Sequence, residues 1–251
     1  MIKDIKSPNL PSKFHGFFTT QSTNFNKSSE KLNFSFSEFE AQEKTMLNRS
    51  CAASQLGITS QKLISVRQVH SQKVLIIDSA IKQELSEADG LVTRVKGLGL
   101  SILTADCAPI LFFDPKASVI GAAHAGWRGA VDGITDSTID AMLTLGANKK
   151  DIIASIGPCI SKKNYEVKSD FKKEIIKTTI SAQSFFSTNS KNQIFFDLPN
   201  YILDRISSYG IKTISAINIC TYSGIDQFHS YRRACHEQKH HYKRNISIIR
   251  L

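Results

Sequence analysis

The sequence predicts a mixed α/β fold, and three observations carry that prediction. The chain has 251 residues, 41% of them hydrophobic, enough for a sizeable core without disulfide support. Strand-like runs and stretches of helical spacing intermix without the strict alternation of a doubly wound sheet. No Pro/Gly-rich linker, fixed-period repeat or low-complexity block divides the chain, so one domain over residues 1–251 is expected, with 1–12 and 234–245 peripheral.

Taken in order, Thr20–Ser37 is rich in Ser, Asn and Lys and reads as a polar loop. Glu38–Leu56 follows with helical spacing of Phe39, Met46, Cys51 and Leu56; Ser37 and Glu40 fit a capping box, and Gly57 a left-handed stop. Strands are expected at Leu63–Val69, Val74–Ile77, Leu98–Leu103, Ile110–Phe113 and Val119–Ala123. A helix should run from Gly129 to Leu145 and end at Gly146. Ile152–Ile156 reads as a short buried strand closed by Gly157-Pro158. Ser169 opens a helix to about Thr179, and Asp197 caps another that stops at Gly210. Thr213–Ile219 completes the good strands, with an edge strand at Ile246–Ile249.

Composition excludes several functions. The longest uncharged apolar stretch, Gly97–Ala105, is far short of a membrane span, and the N-terminal residues have no signal-peptide core. Five scattered cysteines, at 51, 107, 159, 220 and 235, form no CxxC pair, which favours a reducing cytoplasm over a disulfide framework. The net charge of +10 is compatible with nucleic acid, anionic lipid or phosphorylated small molecules. Basic residues crowd into 231–244 without any nucleic-acid-binding signature, so nucleic acid is disfavoured as a partner.

The densest chemical signal lies between His70 and Arg128. His70, Cys107 and His124 each stand where a strand hands over to a loop, and alternation puts Val66, Gln68 and His70 on one face and Ile120, Ala122 and His124 on another. Two histidines and a cysteine are three protein ligands, the number a catalytic zinc uses while keeping one position open. Their spacings of 37 and 17 residues suit ligands gathered by a fold rather than by a finger peptide. Taken singly, each reads more readily as a partly buried histidine or a small core thiol than as a ligand. After His124, the turn Ala125-Gly126-Trp127-Arg128-Gly129 puts free N–H groups and a guanidinium at a helix start, an arrangement that favours an anion such as phosphate. Gly97-Leu-Gly99 lacks the third glycine of a dinucleotide loop, and Pro158-Cys159 lacks the second cysteine of a deaminase zinc motif.

At these residues a family resemblance emerges. RQVHSQKV, ADGLVT, LTADCAPILFFDP, GAAHAGWRGA, IGPCI with YEV, FDLPNYI, and CTY followed by FHSYRR occur in this order. Together they resemble the YfiH-type laccase-domain family, whose members are labelled polyphenol oxidase or purine nucleoside phosphorylase. The resemblance runs from His15 to about Arg233. It implies a four-layer α/β/β/α sandwich with mixed sheets and a zinc site on His70, Cys107 and His124. It also implies phosphorolysis of adenosine, inosine, guanosine and methylthioadenosine to base and ribose 1-phosphate, with deamination of adenosine. Zinc chemistry is compatible with this, since zinc lowers the pKa of a bound water to about 7 for attack at purine C6. Phosphorolysis needs a phosphate holder, for which Arg128, Arg232 and Arg233 are candidates, with Gln68 a further candidate at the substrate.

Three other readings compete. A copper phenol oxidase follows the older family label, and Cu²⁺ can occupy such a trio in vitro, yet the seven histidines form no His-x-His pair. A cysteine hydrolase would use Cys107 as nucleophile with His124 or His70 as base, for instance in editing cell-wall precursors. A non-enzymatic basic binding module rests only on the tail and the net charge. The oligomeric state is not legible in the sequence.

Overall fold

The computed structural model describes residues 1–22, 31–36, 40–78 and 86–251. Two sheets lie face to face. The first holds five strands: β1 (Ile2–Ile5), β2 (His15–Ser22), β3 (Leu63–Ile64), β6 (Gly99–Thr104) and β14 (Asn245–Arg250), in the order β1-β2-β14-β6-β3. The second holds six: β4 (Val74–Ile77), β5 (Gly90–Thr93), β7 (Ala108–Asp114), β8 (Val119–Ala125), β9 (Ile153–Ile156) and β13 (Thr213–Ala216), in the order β13-β9-β7-β8-β5-β4. Both are mixed: β3 runs parallel to β6, β4 to β5 and β13 to β9, while the other pairs are antiparallel. A small third sheet joins β10 (Glu166–Val167), β11 (Phe186–Thr188) and β12 (Ile194–Phe196).

Period-2 alternation builds the layers. Between the sheets pack Phe17, Leu100, Ile102, Leu111, Phe113, Ile120, Ala122 and Ile249. Their chain neighbours point the other way. Phe18, Ile246 and Ile248 join Ala52 and Ala53 of α1 (Gln42–Gln55). Ile110, Phe112, Val119 and Ala123 join Ile134, Ile139 and Met142 of α3 (Ile134–Thr144) and Ile202 and Ile206 of α5 (Leu198–Ser208). Three apolar layers thus separate helix, sheet, sheet and helix, which is the α/β/β/α sandwich. Among the described residues, the remaining α-helices are α2 (Trp127–Asp132), α4 (Ser169–Thr178) and α6 (Tyr231–His236).

Several local expectations are corrected. The segment Ile246–Ile249 is no edge: β14 lies between β2 and β6, and its three isoleucines are fully buried. The helix expected over Glu38–Leu56 starts at Gln42 with Ala41 as its cap and no side-chain cap bond; Ser37 and Phe39 lie outside the described residues. Its apolar spacing misleads, because Met46 and Cys51 are exposed while Thr45, Asn48, Arg49, Ala52 and Ala53 are buried. Asn48 and Arg49 face inward because they donate to the carbonyls of Asn33 and Phe34. Those residues belong to the expected polar loop, which instead puts Thr20–Ser22 in β2 and buries Leu32 and Phe34; residues 23–30 lie outside the described residues. The Gly129–Leu145 helix is two helices, α2 and α3, separated by Gly133 at φ 104°, a conformation that favours glycine. Leu63–Val69 is strand only at Leu63–Ile64. At the chain ends, Ile2 and Leu10 are buried whereas residues 235–242 are exposed.

Candidate metal centre

The strand directions bring the ligands together. β5 and β7 start, and β8 ends, at the same edge of the six-stranded sheet, as the pairs Gly90 with Ala123 and Pro109 with His124 show. Asp89 therefore precedes β5, Cys107 precedes β7 and His124 closes β8, all at one end. β4 runs parallel beside β5 with Val74 opposite Gly90, so the turn at His70 enters the same end. His70 at φ 62° and Asp106 at φ 85° are both left-handed, the sharp turns that aim the neighbouring side chains at one point.

One ligand atom each from His70, Cys107 and His124 lies within 4.8 Å of the others, and the two imidazoles meet edge-to-face with centroids 4.7 Å apart. A tetrahedral zinc with its thiolate at about 2.3 Å and its imidazole at about 2.0–2.1 Å separates those atoms by roughly 3.6 Å. Cys107 Sγ and His70 Nε2 are 3.8 Å apart. The trio can hold a metal ion. Gly126 makes room for it: a Cβ there would stand 2.7 Å from His70 Cδ2 and 3.1 Å from Cys107 Sγ.

Asp89 organises the site and went unremarked at the level of sequence. It lies 2.7 Å from His124 Nδ1 and accepts the backbone N–H groups of Val69, His70 and Ser71 and the Ser71 hydroxyl. Burial alone would raise its carboxyl; the bonds from His124 and Ser71 outweigh it and hold the pKa at about 2. With Asp89 on Nδ1, Nε2 of His124 is left as the ligand atom. Burial opposes charge on Cys107 and His124 as well, yet each is the other's counter-ion. Cys107 falls to about 6 beside His124 and His70, and His124 rises to about 9 between Cys107 and Asp89.

A cleft of about 1070 Å³ opens beside the trio, lined by His70, Cys107, Trp127, Arg128, Tyr165, Phe171 and Arg232 among others, while His124 is buried behind its wall. Trp127 packs on Phe171 at 4.7 Å and carries the exposed Arg128 guanidinium 4.2 Å above its ring. Arg232 donates to the carbonyl of Glu166 at 2.8 Å and stays on the cleft wall. The other two candidates are elsewhere. Arg233 donates to the carbonyls of Thr221, Tyr222 and Phe228 and does not line the cleft. Gln68 spends its amide on both backbone groups of Leu103, clasping the end of β6. The aromatic wall of Tyr165 and Phe171 was not foreseen; YEV in the sequence was its only trace.

Fold and site together define a four-layer sandwich protein with a His–Cys–His centre at one end of its six-stranded sheet. The chain belongs to the laccase-domain family described as multi-copper polyphenol oxidoreductase laccase, whose pattern matches residues 14–251. The resemblance carried by the sequence motifs is thus borne out. A purine nucleoside phosphorylase of Rickettsia prowazekii is 34% identical over 191 residues, covering 76% of this chain and 78% of that one. One of Streptomyces griseus is 34% identical over 188 residues, 74% of this chain and 75% of its own. Among solved structures, the hypothetical protein YfiH of Bacillus licheniformis superposes with a TM-score of 0.82 at 27% identity, covering 94% of this chain and 92% of that one. A Neisseria meningitidis protein reaches 0.84 at 25% identity over 100% of this chain and 98% of its own.

Proposed function

We propose that this chain is a zinc-dependent purine nucleoside phosphorylase that also deaminates adenosine, working in the cytoplasm on small-molecule nucleosides. The observation that carries this reading is that His70 and Cys107 of the His–Cys–His trio and two arginines, Arg128 and Arg232, line one aromatic-walled cleft, with His124 buried behind them. It is supported by relatives at 34% identity that bear the name purine nucleoside phosphorylase.

Phosphate binds between Arg128 and Arg232, whose fixed positive charge opposes its own. Trp127, Tyr165 and Phe171 line the cleft and offer apolar aromatic surface to a purine. Asp89 holds the proton on His124 Nδ1 and so keeps Nε2 directed at the metal position. Zinc held by His70, Cys107 and His124 would supply Lewis acidity beside the cleft. Phosphorolysis breaks the bond from the anomeric carbon to the purine nitrogen and forms one to a phosphate oxygen, while the phosphate's proton passes to the departing purine nitrogen, giving base and ribose 1-phosphate.

A second reading has one observation in its favour. Cys107, His124 and Asp89 stand in the order nucleophile, base and orienter, the arrangement of a cysteine hydrolase. One experiment separates the two. Purified protein is assayed for metal, then incubated with adenosine or inosine with and without phosphate. Phosphorolysis predicts stoichiometric zinc, phosphate-dependent ribose 1-phosphate and inactivity of His124→Ala. Turnover that persists without metal and vanishes in Cys107→Ser makes the protein a hydrolase instead.

A further inference from the structure

Asp106 stands next to the ligand Cys107, yet its carboxylate points away from the trio. Thr221 Oγ1 donates to Oδ1 at 2.7 Å, and Oδ2 accepts from Ser230 Oγ at 2.9 Å and from the Arg232 backbone N–H at 2.7 Å. The carboxylate is buried, and its backbone carbonyl accepts from Ile160 N at 2.9 Å. Ser230 also caps α6, accepting from Arg233 N at 3.1 Å, so the bond from Asp106 fixes the start of the helix that carries Arg232.

We propose that Asp106 is a positioning residue: one buried carboxylate that locks the turn carrying Cys107 to the helix carrying Arg232, so that the metal-ligating thiol and the anion-facing guanidinium hold one separation. The part concerning phosphate rests on the function proposed above. The physical case is simple. The Cys107 turn and α6 are 125 residues apart in sequence (232 − 107) and no strand ladder joins them. Two short bonds to the Asp106 carboxylate, from Ser230 and the Arg232 backbone, join the Cys107 turn directly to the start of α6, a third ties in Thr221, and bonds to a carboxylate are the strong class of hydrogen bond. Left-handed backbone at Asp106 turns the two adjacent side chains in opposite senses, carboxylate to α6 and thiol to the metal position.

The test uses the full-length protein, with cobalt replacing zinc for spectroscopy and inorganic phosphate as the ligand. Asp106→Ala should weaken phosphate binding, measured by calorimetry, about tenfold or more, as a displacement of order 1 Å does to an oriented group. Arg232→Ala should do the same, and the double variant should bind no more weakly than Arg232→Ala alone, because both remove one arrangement. The cobalt–thiolate absorption should shift in Asp106→Ala and return in Asp106→Asn, which keeps an acceptor for Ser230 and Arg232. If Asp106→Ala fails to fold, Thr221→Val and Ser230→Ala each remove one bond and should give smaller losses of the same kind. Additive losses in the double variant, or an unchanged cobalt spectrum, would overturn the proposal. These readouts need no turnover: a protein that makes no ribose 1-phosphate but shows the coupled losses refutes the phosphorylase and keeps the role of Asp106.

Discussion

Asp89 and His124 form a buried pair, with Oδ1 and Nδ1 2.7 Å apart, in which the acid fixes the face that the imidazole offers. Removing the charge should therefore act through the metal. Asp89→Asn keeps the shape but must point an amide at a donor on one side, leaving a bond unmade. Zinc affinity, followed by chelator competition, should fall about 10–100-fold, the usual effect of losing the partner of a ligating histidine. Unchanged affinity would mean that Asp89 only braces the His70 turn.

The same carboxylate sets an acid limit. Its folded pKa of about 2 lies below the ordinary 3.8, so its contribution to stability is complete above that ordinary value and is lost as pH falls through about 2. The gap corresponds to about 2 kcal/mol. Denaturant titrations of metal-free protein between pH 5 and 2 should show this loss in the wild type and a flatter profile in Asp89→Asn.

Cys107 and His124 share charge in the metal-free site. Each lowers or raises the other in the charged direction, the thiol falling and the imidazole rising, so the thiolate–imidazolium pair is favoured around neutral pH. Alkylation of Cys107 in metal-stripped protein, followed by peptide mass mapping, should reach half its maximal rate well below the ordinary pH for a free thiol. His124→Ala removes the main counter-ion and leaves burial in charge, so the midpoint should move upward by more than a unit. Zinc should protect the thiol in the wild type. A midpoint that ignores His124 would disprove the pairing.

Of the candidate ligands, Cys107 and His124 were legible because they abut real strands, β7 and β8, whereas the strand expected through SVRQVH stops at Ile64 and His70 stands in a turn that only its motif pointed to. Asp89 and Asp106 were not legible, although both sit inside recognised motifs. An acid's role depends on which distant donors find it, and those of Asp106 come from Thr221, Ser230 and Arg232. The same limit explains β14. Ile246–Ile249 is apolar whether it lies at an edge or a centre, and only its pairing with both β2 and β6 decides. In α1 the apolar count misled because Asn48 and Arg49 bring hydrogen bonds inward that hydrophobicity cannot register.

Gly126 tests how tightly the trio is packed. Its φ of −70° suits any residue, so Gly126→Ala strains no backbone. The added methyl would instead press on His70 and Cys107 at 2.7 and 3.1 Å. Zinc stoichiometry should drop well below one while the unfolding midpoint of the metal-free protein shifts by only a few degrees, about 1 kcal/mol or less. Full zinc occupancy in the variant would show that the ligands have slack the distances deny.

Arg232 and Arg233 adjoin in sequence but sit about 100° apart around α6, and that rotation separates their work. Arg232 faces the cleft with its guanidinium 5.5 Å from the Tyr165 ring centroid. Arg233 turns inward and ties down the carbonyls of Thr221, Tyr222 and Phe228, three backbone acceptors that no ladder serves. Arg232→Ala should accordingly raise the KM for phosphate about tenfold or more while leaving the melting temperature nearly unchanged. Arg233→Ala should do the reverse, costing about 2 kcal/mol of stability through the stranded carbonyls, with the KM for phosphate held within about threefold. Arg233→Lys should not restore stability, because a single ammonium cannot span carbonyls that the planar guanidinium reaches from two nitrogens. Measuring KM and thermal unfolding on the same preparations decides the matter, and a phosphate defect in Arg233→Ala at full stability would reverse the assignment.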